Sequence, residues 1–142
     1  MTSGTPRKAD LRALLDTHVL VEWFASDARL SAAQLRVIRK AGPESPLWVS
    51  DISLWEVATL VALGRIALPL PVRTWLERAT APPLVQRIGI SPAVAAEVAA
   101  LPLTFHRDPA DRIIVASARV LGATLLTRDQ RIRDAAIVPT LA

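Results

Sequence analysis

Four times along the chain a short apolar run of strand length is followed by a pattern of helical spacing. LRALLD (11–16) precedes HVLVEWF (18–24), and PLWVSD (46–51) precedes ISLWEVATLVALG (52–64). LVQRIGI (84–90) precedes AVAAEVAAL (93–101), whose start carries Ser91 as a cap and Pro92 at the first helical position. ATLLT (123–127) precedes RDQRIRD, a short turn or helix, and AAIVPT (135–140) reads as a fifth strand. Strands that alternate with helices imply a parallel sheet covered on both faces. The expected fold class is therefore α/β, a three-layer α/β/α sandwich with a central parallel sheet of four to five strands. Three more helices fit between the strands. SAAQLRVIRKAG (31–42) has Ser31 to cap it and Gly42 to end it, and VRTWLERATA (72–81) is stopped by Pro82-Pro83. DPADRIIVASARVLG (108–122) opens on Asp108-Pro109 and closes on Gly122.

The 142 residues suffice for one domain, and at 51% hydrophobic they can build a core, mostly from Leu, Val, Ile and Ala. Residues 1–10 read as a loose polar tail, and 11–142 as a single domain. No apolar stretch approaches the roughly 20 residues needed to span a bilayer. The N-terminus lacks the apolar segment of a secretory signal, so a cytoplasmic location is expected. With no Cys, thiolate zinc sites and Cys nucleophiles are excluded. Net charge is +4, and all the basic residues except Lys8 and Lys40 are Arg. That bias suits a polyanionic partner, but it also follows from a GC-rich genome, so charge alone decides nothing.

Acids stand where these elements meet: Asp16, Glu56, Asp111 and Asp129. Each has a plain structural explanation. Asp16 can cap the helix at 18–24, and Ser53-x-x-Glu56 matches a capping box. Asp108-Pro109-Ala110-Asp111 reads as a capped start, and Asp129 as a turn residue. Their conjunction says more. In an open α/β sheet the carboxyl ends of the strands face one crevice, so side chains there converge. Glu56 also lies on an apolar helix, where an isolated carboxylate would be costly. Carboxylates gathered together repel unless a positive charge sits among them, and a hard divalent cation prefers oxygen ligands.

LLDTHVLVEW, SLWEVATLVALGRI, HRDPADRIIVASA and ATLLTRD, in that order, resemble the PIN-domain nucleases, and among them the VapC-type toxin ribonucleases of bacterial toxin–antitoxin pairs. The resemblance runs from about Leu11 to about Val138. It implies an acidic quartet at Asp16, Glu56, Asp111 and Asp129, with accompanying hydroxyls at Thr17 and Thr127. It also covers His106, Asp108, Pro109 and Arg112, although Ala110 stands where an aromatic is common. It further implies an RNA substrate, a cognate antitoxin and a homodimer.

On that footing Mg2+ (or Mn2+) would be held directly by Asp16 and Asp111. Asp129 would bind a second ion or a metal water, and Glu56 would act through water or as a base. Asp108 reads mainly as a helix cap, and His106 as a hydrogen-bonding anchor. Arg112 and Arg128 lie beside the acids, where they could grip phosphate or pair with carboxylates. Trp23, Trp55 and Trp75 fall on apolar helix faces and Trp48 in a strand, which suits core or interface positions. The competing reading is a non-catalytic PIN-like or receiver-like metal-binding module. A phosphoacceptor receiver wants a Lys at a late strand end, and neither lysine is there. A catalytically dead PIN-like module would be expected to have lost an acid, and none is missing.

Overall fold

A computed structural model describes residues 11–25, 29–105 and 107–142 of the chain; residues 1–10, expected as a loose tail, lie outside the described residues. Five strands form one sheet: β1 (Ala13–Leu15), β2 (Leu47–Ser50), β3 (Val85–Ile88), β4 (Thr124–Leu126) and β5 (Thr140–Leu141). Their order is β3-β2-β1-β4-β5, and every neighbouring pair is parallel. Among the described residues seven helices flank the sheet: α1 (Thr17–Phe24), α2 (Ala32–Arg39), α3 (Asp51–Ala62), α4 (Val72–Ala79), α5 (Pro92–Ala100), α6 (Pro109–Leu121) and α7 (Gln130–Ala135). The molecule is the expected three-layer α/β/α sandwich.

Side chains alternate across β1, and each face has its own core. Leu15 joins Val49 and Leu126 beneath Val19, Leu20, Ile38 and Trp75 from α1, α2 and α4. Leu14 joins Leu125 beneath Val94 of α5, Ile114 and Val115 of α6, and Ile132 of α7. The helix α3 bridges the two layers: Val57 packs into the first core and Ile52 against the second. The three central strands are short, buried and almost wholly apolar. That is the composition of strands covered on both faces.

Register places the site. Leu15 lies opposite both Val49 and Leu126, so Asp16, Ser50 and Thr127 share the next row at the carboxyl ends. The chain winds outward from β1 through β2 to β3, then returns to the other side of β1 for β4. The carboxyl ends of β1 and β4 therefore mark the topological switch point, where open α/β sheets bind ligands.

Three boundaries differ from those expected. The fifth strand begins at Thr140, because Ala135 still belongs to α7 and Ala136 turns left-handed at φ 52° to end it. The helix α2 ends at Arg39, before Gly42, which instead bridges to Ser45. The helix α3 starts at Asp51, capped by Ser50, whose hydroxyl accepts from the Ile52 N–H at 3.2 Å. Ser53 and Glu56 therefore form no capping box; both lie inside the helix.

Candidate active site

The first acid, Asp16, is 6% exposed and does two things at once. Its Oδ1 accepts the Thr17 N–H at 2.8 Å, capping α1, while its Oδ2 accepts the Thr127 hydroxyl at 2.6 Å. Thr127 Oγ1 in turn accepts the Asp129 N–H at 3.0 Å. One hydroxyl thus ties the end of β1 to the end of β4. Burial raises the Asp16 pKa above its usual value. The bonds from Thr127 and the Thr17 N–H act against that rise, and repulsion from Asp129 adds to it.

Glu56 sits one turn into α3 and points at α1. Thr17 donates its hydroxyl to Glu56 Oε1 at 2.5 Å, and the Ser53 hydroxyl lies 2.8 Å from Thr17 Oγ1. Thr17 has one proton to give, so Ser53 must be the donor in the second bond. The resulting relay, Ser53 to Thr17 to Glu56, orients the Glu56 carboxylate. Its pKa is raised, first by burial and then by repulsion from Asp16 and Asp108.

Asp111 occupies the third position of α6. Asp108 caps that helix, accepting the Asp111 N–H at 3.1 Å, with Pro109 at the first position. The Asp111 pKa is pushed up to about 7, first by burial and then by Asp16, Asp108, Asp129 and Glu56 together. These four are the carboxylates whose charges act on it. Asp129 caps α7, its Oδ1 accepting from Arg131 N–H at 2.9 Å and Ile132 N–H at 3.4 Å.

The donor set consists of carboxylate oxygens and hydroxyls, with no sulfur, and it carries excess negative charge in a partly buried place. That is hard-cation chemistry. Among the described residues, no three acidic or histidine side chains are gathered tightly enough to close a cage around an ion. Mg2+ does not require one, since it is commonly held by one or two carboxylates with waters completing its octahedron. The residues present therefore fit such an ion.

Two arginines beside the acids are engaged elsewhere. Arg112 donates to the backbone carbonyls of Phe105 and Val98, each at 3.3 Å, and its guanidinium sits 5.9 Å from the centre of the Phe105 ring. It anchors the loop before α6, and neither of the roles expected for it, phosphate grip or pairing with an acid of the quartet, describes those contacts. Arg128 pairs with Glu22, a buried acid outside the quartet. His106 lies outside the described residues. Of the tryptophans, Trp75 is core, whereas Trp55 is 60% exposed on α3.

Sequence reasoning gave Ser53 the wrong role, that of a cap, and assigned none to His18 or Glu22. The role of Ser53 could have been found, because it stands one helical turn before Glu56. His18 follows Thr17, and its charge favours ionised Asp16 and Glu56. Glu22 stood unremarked among Val21, Trp23 and Phe24.

Residues 13–138 match the PIN domain, and the chain belongs to the PIN-domain family. It is 43% identical over 121 residues to Ribonuclease VapC22 of Mycobacterium tuberculosis, covering 85% of this chain and 89% of that one. Two solved structures share the fold at low identity. VapBC2 from Rickettsia felis, bound to a DNA fragment of its promoter, has a TM-score of 0.68 at 13% identity, covering 92% of this chain and 98% of that one. FitAcB from Neisseria gonorrhoeae has a TM-score of 0.65 at 22% identity, covering 92% and 96%.

Proposed function

We propose that this protein is a metal-dependent endoribonuclease that hydrolyses RNA phosphodiester bonds, and that it is the toxin of a toxin–antitoxin pair. What supports this reading most is the placement of Asp16 and Asp129 at the ends of β1 and β4, with Asp111 at the start of α6 and its pKa pushed up to about 7, first by burial and then by the charges of Asp16, Asp108, Asp129 and Glu56. The name of the 43% identical relative supports RNA as substrate. The resemblance of its motifs to the VapC-type toxins supports an antitoxin partner and a homodimer, as does the 43% identity to Ribonuclease VapC22. No helix among the described residues is long and apolar enough to cross a membrane.

Asp16 and Asp111 are the direct ligands for Mg2+ or Mn2+ in this reading, with Asp129 and Glu56 reaching it through water or holding a second ion. When bound, such an ion lowers the pKa of water and neutralises charge on the phosphodiester. The chain's own residues supply the rest. Thr127 fixes the Asp16 carboxylate, and the Ser53–Thr17 relay aims Glu56, which accepts the proton of the attacking water.

The test is cleavage of total RNA by purified protein with Mn2+, with EDTA, and by Asp111→Asn. Discrete fragments that need Mn2+ and vanish in the variant are expected. Folded protein that binds Mn2+ but leaves RNA intact would favour the non-catalytic module. Cleavage unchanged by EDTA or by the variant would defeat the assignment.

A further inference from the structure

The ion pair between buried Glu22 and exposed Arg128 belongs to no part of the site described above, yet it joins the same two connections. Glu22 lies on α1, six residues beyond Asp16, or about 9 Å along the helix axis. Arg128 stands between Thr127 and Asp129. Its guanidinium binds Glu22 Oε1 and also donates to the Arg29 carbonyl at 2.7 Å. Arg29 Nε lies 3.8 Å from the same Glu22 oxygen.

Stability is a poor reason for this arrangement. Glu22 is 4% exposed on a helix of otherwise largely apolar sequence, so its charge has lost most of its water. Its Oε2 has no hydrogen-bond partner among the described residues. A carboxylate buried with one oxygen unsatisfied gains little net stability from guanidinium groups that stay largely in water. Such a pair does supply direction and distance. The Thr127–Asp16 bond and the backbone bonds of Asp16 and Thr127 to neighbouring strands hold the β4–α7 connection at the strand ends only. The Arg128–Glu22 contact adds a tie to the middle of α1, and the residue next to Arg128 is Asp129.

We propose that Glu22 and Arg128 are a positioning pair that sets Asp129 relative to Asp16, and that through this spacing they govern cation affinity and turnover at the candidate site. The inference rests on the nuclease reading for turnover, but not for cation binding.

The experiment compares Glu22→Gln, Arg128→Gln and the double variant Glu22→Leu/Arg128→Leu with the parent. The readouts are thermal midpoint, Mn2+ affinity by electron paramagnetic resonance, and kcat and KM on RNA. Each single variant should weaken Mn2+ binding by roughly 10–100-fold, the usual effect of removing a group that orients a ligand. Each should lower kcat with KM nearly unchanged. The double variant should recover the thermal midpoint and recover neither Mn2+ affinity nor kcat. Recovery of all three would make the pair merely structural and overturn the proposal. A higher KM for Arg128→Gln alone, at unchanged Mn2+ affinity, would also overturn it, by making Arg128 an RNA contact. If the parent binds Mn2+ but cuts no RNA, the nuclease reading fails while the affinity measurements still decide the pair. A parent that binds no Mn2+ overturns both.

Discussion

Asp111→Asn should make the cation-free protein more stable while abolishing cleavage. The Asp111 carboxyl titrates normally near 3.8 and in the folded chain near 7. The sign follows from proton counting. Between those values the folded state holds a proton that the unfolded state has released, so stability falls as pH rises from about 4 to about 7. A gap of about three pKa units, at about 1.4 kcal/mol each, is roughly 4 kcal/mol above pH 7. Asn keeps the size and has no charge to repel. The cap is untouched, because the bond to Asp108 comes from the backbone N–H. Allowing for relaxation of the crevice, a gain of roughly 2–4 kcal/mol would raise the melting temperature by roughly 6–15 °C. Thermal melts followed by circular dichroism in EDTA at pH 8 measure it. At pH 4.5 the gain should shrink to about 1 kcal/mol, since the native carboxyl is then protonated. Mn2+ at pH 8 should stabilise the parent more than the variant, by mass action on the native state. A variant no more stable than the parent in EDTA at pH 8 would refute the reasoning, because ionised Asp111 would then carry no penalty from burial or from the neighbouring acids.

Three further outcomes are expected. Thr17→Val removes the hydroxyl that links Ser53 to Glu56, and should cost about 1–3 kcal/mol of stability in chemical denaturation. It should also lower kcat about tenfold by releasing Glu56; an unchanged kcat would remove Glu56 from the chemistry. Mn2+ affinity, measured by titration from pH 5.5 to 8.5, should rise by up to about tenfold per unit up to about pH 7 and then level off, since the ion must displace the Asp111 proton. A flat profile would mean that Asp111 is not a ligand. Gly122→Ala should cost about 1–2 kcal/mol with cleavage intact, because φ is +61° there and an added Cβ meets nothing within 4 Å, leaving only the backbone penalty.

The fold was legible because its strands are short, buried on both faces and separated by complete helices. LRALLD and ATLLT could hardly be anything but central strands of a covered sheet. What local pattern could not show was where the chain leaves helix near its end. AAIVPT has strand composition, but Ala136 takes a left-handed turn that composition does not favour. The start of α3 was misplaced for a related reason. Ser50 and Ser53 are both plausible caps, and only the register of β2 decides that Ser50 is the one at the strand end.

The site shows why a cap and a ligand are false alternatives in such a fold. Each strand ends where a helix begins, so an acid at that junction meets free N–H groups and the crevice together. Asp16 gives one oxygen to the helix and the other to Thr127, and Asp129 caps α7 while its charge still acts on Asp16 and Asp111. Capping holds the carboxylate in place, which is what a ligand needs. Asp108 and Asp111 divide the two tasks, the first capping α6 and the second left with the raised pKa. The pairing of Glu22 with Arg128 was hidden for the opposite reason. They are 106 residues apart, and only the packing of α1 against the end of β4 brings their charges together.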